Sequence, residues 1–461
     1  MAIDPRVIRE SFALVEDNAD RVASHLYALL FLEEPALRDM FPPMMDTQRG
    51  RLMNAVVRIA CQTDDPDELA EYLQQLGRDH RRFGVRPEHY GPLVRCLIAS
   101  MRRFAKPGWT TEMDEAWLAV FRAVSGTMIT AAEEAARTSP AWWTGRVVEH
   151  ELRTGSIAVI TVRPDQPYPF RAGQYASVET LRWPRVWRAF SFANAPRRDG
   201  LLSFHVRAID GGWVSSALVH HTRVGDALRI GPAMGSMVVD QASGRDILLV
   251  GGGTGIAPLL ALTQELGRWN AHRQVHLFYG ARRSEDLYAM PVLDQLRQRH
   301  PWLTVVPCVS HDPRYRGEGE NGMLPDVVAK YGSRGLGSGG FGGQDTGWAT
   351  HEAYLSGSPP MLQASLSRLV ESGVPTRRIH FDAFGEQAEI LLGARRAEQN
   401  AMRPAQLAAP TDAAAAGSAD AARPAVPEHE RDRERHGHDS TKESISRRDK
   451  HTANARSARS A

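Results

Sequence analysis

The periodicity of the chain changes twice along its length, and those two changes restrict the fold more than any other feature. From Pro5 to about Arg137 apolar residues recur at helical spacing, as at Val22, Leu26, Leu29 and Leu30. Helix stops fall at Pro35, Pro42-Pro43, Pro66, the Gly84-Val85-Arg86-Pro87 break and Pro107-Gly108. After Ser139-Pro140-Ala141-Trp142-Trp143 the texture becomes strand-like: Gly145 to Val162 alternates polar with β-branched residues around a Thr154-Gly155 turn, and similar segments recur to about Asp240. Short strands with Gly/Pro turns imply a small antiparallel barrel. From Asp246 the order is apolar strand, glycine loop, helix and strand again at Val275 to Tyr279, which is βαβ alternation and implies a parallel sheet.

The expected fold is therefore multidomain: an all-α domain at 1–138, an antiparallel β-barrel at 142–240 and a doubly wound α/β domain at 245–392. A glycine-rich stretch, Gly332 through Gly347, interrupts the last of these and reads as a mobile surface loop. Residues 396–461 are Ala-rich and then of mixed charge, with too few large apolar side chains to offset the entropy of ordering, so a disordered tail is expected.

Lys+Arg 56 against Asp+Glu 54 leaves a formal charge of +2, which provides no chain-wide basic field and excludes nucleic acid as the main partner. Charges at Asp4, Arg6, Arg9 and Glu10 argue against a secretory signal. The longest apolar stretch, Ile247 to Leu262, is broken by glycines and Pro258, so no membrane span is expected. Cys61, Cys96 and Cys308 lie far apart, with no spacing for zinc, an iron–sulfur cluster or a redox disulfide; a reducing cytoplasm fits best.

In the helical third the candidate iron ligand is His80, which a helix can set beside the apolar face of Tyr72, Leu73 and Leu76, ahead of Phe83. The segment Leu76-Gly77-Arg78-Asp79-His80 through Glu88-His89-Tyr90 resembles the proximal haem segment of bacterial flavohaemoglobins. His25-Leu26-Tyr27, Met40-Phe41 and Gln48-Arg49-Gly50-Arg51-Leu52 resemble the distal side of the same family. The resemblance makes His80 the proximal ligand of a b-type haem and Phe41 the ring packed on its face. It makes Tyr27 and Gln48 the distal hydrogen-bonding pair, and Tyr90 and Glu134 the partners of the proximal imidazole. Asp79 stands where the family commonly has a lysine.

In the barrel segment, Arg188-Ala189-Phe190-Ser191, with Gly173-Gln174-Tyr175 before it and Gly211-Gly212-Trp213-Val214-Ser215 after it, resembles the R-x-Y-S flavin motif of the ferredoxin–NADP reductase superfamily. The resemblance assigns FAD to Tyr175, Arg188, Phe190, Ser191, Val214 and Ser215, with a guanidinium fork for the pyrophosphate and an aromatic face for the isoalloxazine. Phe190 replaces the usual tyrosine. Phe381-Asp382-Ala383-Phe384-Gly385 resembles the carboxyl-terminal segment whose aromatic, here Phe384, covers the flavin.

Gly251-Gly252-Gly253-Thr254-Gly255, followed by Pro258, sits after a predicted strand and opens a helix, where bare glycines let backbone N–H groups approach a pyrophosphate. Ser356-Gly357 resembles the family's C-G-P loop beside the nicotinamide, with serine for cysteine. Arg282 and Arg283 follow the second strand, where the adenine ribose is read; they suit a 2′-phosphate or a solvated surface equally well.

Together the resemblances imply a flavohaemoglobin over about residues 5–392, with haem b, FAD and NADH or NADPH as cofactors, O2 and NO as small-molecule substrates, and no obligate protein partner. The implied activity is nitric oxide dioxygenation: hydride passes from NAD(P)H to FAD, single electrons pass to haem, and NO leaves as nitrate. Phe190 and Ser356 leave open a divergent, actinobacterial-like branch that uses another donor, such as a hydroxy acid. Further alternatives are a haem-based O2 or redox sensor and a reductase feeding a separate protein.

Overall fold

The protein is described by a computed structural model covering residues 4–62, 66–312, 314–333 and 347–382. Gly332 and Ser333 close a helix and Gly347 opens a short turn, but most of the glycine-rich stretch, Phe384 and the whole of 396–461 lie outside the described residues.

The helical third forms α1 Pro5–Ala13, α2 Ala19–Glu33, α3 Asp46–Cys61, α4 Pro66–His80, α5 Tyr90–Phe104 and α6 Thr111–Thr138. Local chemistry sets their ends. Asp4 caps α1 by accepting from the Arg6 N–H at 2.8 Å, with Pro5 in the first turn, and Thr110 caps α6 by accepting from the Met113 N–H at 3.3 Å. After α4 the chain reverses through Gly84, whose φ of 73° a side chain would resist. The core is centred on fully buried Trp117, whose indole donates to Ser11 Oγ at 2.9 Å. Helices α4 and α6 cross so closely that a Cβ at Gly77 would overlap the Met128 backbone.

The second domain contains β1 Trp143–Thr154, β2 Ile157–Pro164, β3 Tyr175–Thr180, β4 Arg188–Ser191, β5 Leu202–Arg207, the short helix α7 Trp213–Ser216 and β6 Ala227–Met234. Its six strands run in the order β4-β3-β6-β1-β2-β5, and all their pairs are antiparallel. An antiparallel bridge from Phe192 to Phe204 links the two sheet edges and closes the barrel. The Thr154-Gly155 turn is the β1–β2 hairpin, with Thr154 opposite Ile157.

The third domain follows as β7 Ile247–Gly252, α8 Ile256–Trp269, β8 Val275–Ala281, α9 Met290–Arg299, β9 Leu303–Val309, β10 Glu320–Asn321, α10 Leu324–Ser333, β11 Glu352–Ser356, α11 Pro359–Glu371 and β12 Ile379–His380. Its parallel sheet runs β10-β9-β8-β7-β11-β12, so the chain builds outward from β7 in one direction and then crosses to the other side. The strand order reverses between β7 and β11, the place where open α/β sheets take their ligands. Apolar clusters cover both faces of this sheet, which explains the near-continuous hydrophobic run of Ile247 to Val250.

Gly77→Ala separates helix propensity from packing. Alanine favours an isolated helix by about 1 kcal/mol, whereas overpacking costs about 1–3 kcal/mol. The contact with the Met128 backbone decides the sign, so a net loss of stability is expected in chemical denaturation. An unchanged or raised midpoint would show that the α4–α6 crossing relaxes freely.

Candidate functional site

Three groups of residues, one in each domain, carry the candidate chemistry, and the end of α4 joins two of them. On α2, Tyr27 is 5% exposed; its ring stacks on Phe31 at 5.9 Å and meets Phe41 edge-on at 5.3 Å. Gln48, in the first turn of α3, donates its Nε2 hydrogen to the Tyr27 hydroxyl at 3.4 Å. Burial pushes the Tyr27 phenol up to about 12 against the smaller opposing effect of Gln48, so it keeps its proton. Because the Gln48 amide fills a lone pair on the oxygen, the O–H remains available to donate.

His80 is the last residue of α4. Its Nδ1 lies 2.6 Å from the Leu76 carbonyl oxygen, one turn back, so Nδ1 carries the hydrogen and Nε2 carries the lone pair. Burial lowers the imidazole pKa and holds it neutral. Phe41, Leu52, Tyr72, Leu76, Tyr90 and Leu93 pack on the core yet retain accessible apolar surface, as His80 is itself only partly covered. A neutral imidazole with a fixed tautomer in an apolar slot is the donor a haem iron requires, and these residues fit that group.

The structure differs from the expected support of this imidazole. No hydrogen bond joins Tyr90 or Glu134 to His80 among the described residues. The Leu76 carbonyl takes the Nδ1 hydrogen, and Glu134 lies on the exposed face of α6. Tyr90 opens α5, half-buried, with its phenol pKa raised by desolvation.

The same turn of α4 meets the barrel. Arg82 donates through Nη1 to Ser177 Oγ on β3 at 2.9 Å and pairs with Asp79 at 3.4 Å; its guanidinium lies over the Trp187 ring at 5.7 Å. Gln75 adds a contact to Met234 Sδ on β6 at 3.6 Å. Sequence reasoning missed Arg82. Its only local signal is a second arginine beside a helix break, because its partner lies 95 residues away.

On β3 and β4, Tyr175 stands opposite Ser191 and Ala176 opposite Phe190, while Arg188 pairs in register with Val178. Phe190 packs along the barrel core and keeps part of its ring accessible, and Tyr175 is half-buried with its phenol pushed up to about 12, chiefly by burial. Arg188 loses basicity through desolvation and through the charge of Arg51 on α3. Two guanidiniums that repel one another suit an anionic pyrophosphate between them. Ser215 donates to the Gly212 carbonyl at 3.0 Å within the turn entering α7, whereas the Val214 side chain is sealed in the barrel core. Any contact of Val214 with a flavin is therefore through its backbone.

Asp382 reaches this seam from the chain after β12. It lies against Tyr175 and Gly235, and accepts from the Ser236 N–H at 3.4 Å. Its Oδ2 is buried without a hydrogen-bond partner among the described residues.

At the crossover of the parallel sheet, Gly251 to Gly255 leave β7 as Ser356-Gly357 leave β11. A Cβ on Gly255 would overlap the Ser356 carbonyl, and one on Gly357 would overlap the Met361 side chain. Gly253 has φ 57°, and Pro258 is buried in the first turn of α8. Thr254 sits between them, partly exposed. Two bare-backbone loops facing each other at a strand crossover provide the close approach that a dinucleotide pyrophosphate needs.

A helical domain with a sheltered imidazole, docked on an antiparallel barrel that leads into a nucleotide-type sheet, defines a single-chain oxidoreductase built from a globin and a reductase. Residues 24–128 match the globin family. Residues 146–238 match the oxidoreductase FAD-binding domain, and residues 249–366 match the oxidoreductase NAD-binding domain. The chain is 26% identical over 402 residues to the flavohemoprotein of Bordetella pertussis, covering 82% of this chain and 97% of that one. Its reductase part is 31% identical to the ferredoxin–NAD(P)+ reductase component of a Pseudomonas putida naphthalene 1,2-dioxygenase system and 30% identical to a Pseudomonas phenol 2-monooxygenase reductase component, spanning 68% and 63% of those proteins. The flavohemoglobin of Malassezia yamatoensis shares the fold, with a TM-score of 0.66 at 18% identity, covering 83% of this chain and 98% of that one. Along most of its length the chain is similar to flavohaemoproteins, and it combines a globin domain with oxidoreductase FAD-binding and NAD-binding domains.

Burial raises the Asp382 carboxyl to about 6, against the smaller opposing effect of the Ser236 N–H. A raised folded-state value means that the native protein takes up a proton that the unfolded chain has already lost between its ordinary value near 4 and about pH 6. Stability attached to this group therefore falls as pH rises through that window and stays low above it. Asp382→Asn should raise the thermal midpoint at pH 7.5 and leave it nearly unchanged at pH 4. Equal shifts at both values would show that the carboxylate is solvated or paired.

Proposed function

We propose that the chain is a nitric oxide dioxygenase in which one molecule carries electrons from NAD(P)H to the site where NO and O2 combine. The balanced reaction is 2 NO + 2 O2 + NAD(P)H giving 2 nitrate, NAD(P)+ and H+. Bound FAD would supply hydride acceptance and its division into single electrons, and bound haem would supply the iron that uses them on dioxygen.

The residues of the chain have the following roles. His80 would hold the haem iron through its free ring nitrogen, with Nδ1 oriented by the Leu76 carbonyl. Phe41 bounds the pocket, and Tyr27, oriented by Gln48, presents a protonated phenol where negative charge develops on oxygen. Tyr90 walls the proximal side, while Glu134, exposed on α6, is left without a part. Arg188 neutralises the flavin pyrophosphate, Tyr175 and Phe190 offer aromatic surface to the ring system, and Ser191 and Ser215 offer hydroxyls. Gly251 to Gly255 and Gly357 would admit the nicotinamide dinucleotide, with Ser356 beside them at the end of β11.

The observation that carries the proposal is the docking of the His80 helix directly on the strand that carries Tyr175, through Arg82 and Ser177. With both halves in contact in one chain, no separate electron carrier is needed. The three cysteines are unpaired, and no described helix is long and apolar enough to cross a membrane; a reducing cytoplasm suits both facts.

Anaerobic stopped-flow spectra with NADH or NADPH, followed by NO and air with nitrate measured, test the whole reading. Flavin and then haem should be reduced within one molecule and nitrate should accumulate. Flavin that stays oxidised with both nicotinamides would move the assignment to another electron donor, such as a hydroxy acid.

His80→Ala should abolish the haem Soret band while leaving flavin content intact, and normal haem content in that variant would refute the ligand. Tyr27→Phe removes one pre-organised donor worth about 1–3 kcal/mol, so O2 should dissociate roughly tenfold to a hundredfold faster. Release at the parent rate would remove Tyr27 from the distal side.

A further inference from the structure

At the tip of β8 the structure forms a cavity of about 440 Å3 that none of the roles above uses. Ser156 and Arg207 of the barrel form one wall. Arg282, Arg283, Glu285, Asp286 and His311 of the parallel-sheet domain form the other. Strand β8 lies beside β7 in parallel register, with Gly251 opposite Tyr279 and Gly252 opposite Gly280. Arg282 and Arg283 therefore leave the sheet at the same edge as the glycine loop, one strand over, where a dinucleotide whose pyrophosphate sits on that loop places its adenosine ribose.

The charges in the cavity are unequal. Three guanidiniums face two carboxylates, and both carboxylates are engaged: Asp286 with Arg207 at 3.1 Å and Glu285 with Arg283 at 3.4 Å. The nearby Asp312 accepts from Ser284 Oγ at 2.9 Å. Arg282 has no carboxylate partner among the described residues. Its carbonyl accepts from the His311 N–H at 2.8 Å, which ties its backbone to the chain leaving β9 on the same wall. In dinucleotide-binding sheets an unphosphorylated ribose is commonly read by a carboxylate that accepts from its 2′-hydroxyl, and a 2′-phosphate by an arginine; here the strand ends in Ala281-Arg282-Arg283. An uncommitted guanidinium fork at a cavity of net positive charge suits a phosphate monoester.

We propose that this cavity binds the 2′-phosphate of NADPH, with Arg282 as the principal contact and Arg283 beside it, so that NADPH is the preferred electron donor. This rests on the nicotinamide-linked reading of the chain. It goes beyond that reading by selecting between two coenzymes that differ only at this phosphate. Arg207 contributes from the barrel side, which makes the site a property of the two domains together.

The test uses the full-length holoprotein in two independent measurements. In flavin reduction, kcat/KM should favour NADPH over NADH by tenfold or more, and Arg282→Gln should lower that ratio at least tenfold. A ratio near one, or a ratio unmoved by Arg282→Gln, overturns the proposal. In calorimetry, which requires no turnover, 2′,5′-ADP should bind at least tenfold more tightly than 5′-ADP, and Arg282→Gln should remove the difference. Equal affinities overturn the proposal, as does inorganic phosphate competing as strongly as 2′,5′-ADP, which would mark a free-phosphate site. If neither nicotinamide reduces the flavin, the donor reading fails. The calorimetric comparison then decides the phosphate site alone, since Arg282-dependent binding of 2′,5′-ADP supports it and its absence overturns it.

Discussion

The last turn of α4 has to satisfy two domains at once, and the rest of the arrangement depends on how it does so. Facing the helices, His80 is tied to the Leu76 carbonyl; two residues on, Arg82 enters the barrel and donates to Ser177. A guanidinium this sheltered, with its side chain 14% exposed, is costly to desolvate unless it is paired, and its Nε has no hydrogen-bond partner among the described residues. Asp79 supplies the pairing charge from one turn back in the chain. This gives a physical reason for the departure noted in the sequence. A lysine at position 79 would place a second cation against a buried one, with Arg51 already nearby, and would turn the docking element into a point of repulsion.

Electron transfer between domains needs proximity that persists, and this seam combines different kinds of contact to give it. The Arg82 bond is directional, and the stacking over Trp187 and the Gln75 contact to Met234 add interactions that salt screens less than an exposed ion pair. Exposed pairs such as Arg86–Glu88 contribute little by comparison. Across the same seam, Asp382 sits beside Tyr175 with one oxygen unpaired among the described residues. A buried carboxyl left incompletely satisfied in this way is a strained element of a kind that clusters at functional sites rather than in packing cores.

The parts of the fold that rest on local periodicity were legible in the sequence. The all-helical first third follows from the 3.6-residue pattern and its proline stops, and β7, the glycine loop and α8 follow from an apolar run ending in bare glycines. The Tyr27–Gln48 contact and the Tyr175–Ser191 pairing bring together residues that the sequence had singled out. Contacts between distant segments leave no periodic trace. Arg82 reads as one more charge at a helix end until Ser177 is folded against it, and the desolvation of Asp382 depends on the Gly235 turn of another strand. Glu134 shows the converse: family context placed it at the imidazole, but α6 turns that position toward solvent.

The relation between the barrel and the parallel-sheet domain is held by a different kind of bond. His205 on β5 and the Tyr288 hydroxyl lie 2.9 Å apart across that boundary. Burial lowers the imidazole to about 3 and raises the phenol well above its ordinary value. Both groups are therefore neutral throughout the physiological range, and their hydrogen bond carries no net charge for pH or salt to alter. Two residues along the same strand, Arg207 makes the charged contact with Asp286 that forms one wall of the cavity at the tip of β8. The neutral pair, together with bonds such as the Ala195 N–H to Gln264 Oε1 at 3.1 Å, holds the two domains against each other, which leaves the charged pair free to respond to an anion entering beside it. An Arg207 shared between Asp286 and a phosphate need not carry the domain contact as well, because His205 and Tyr288 already do.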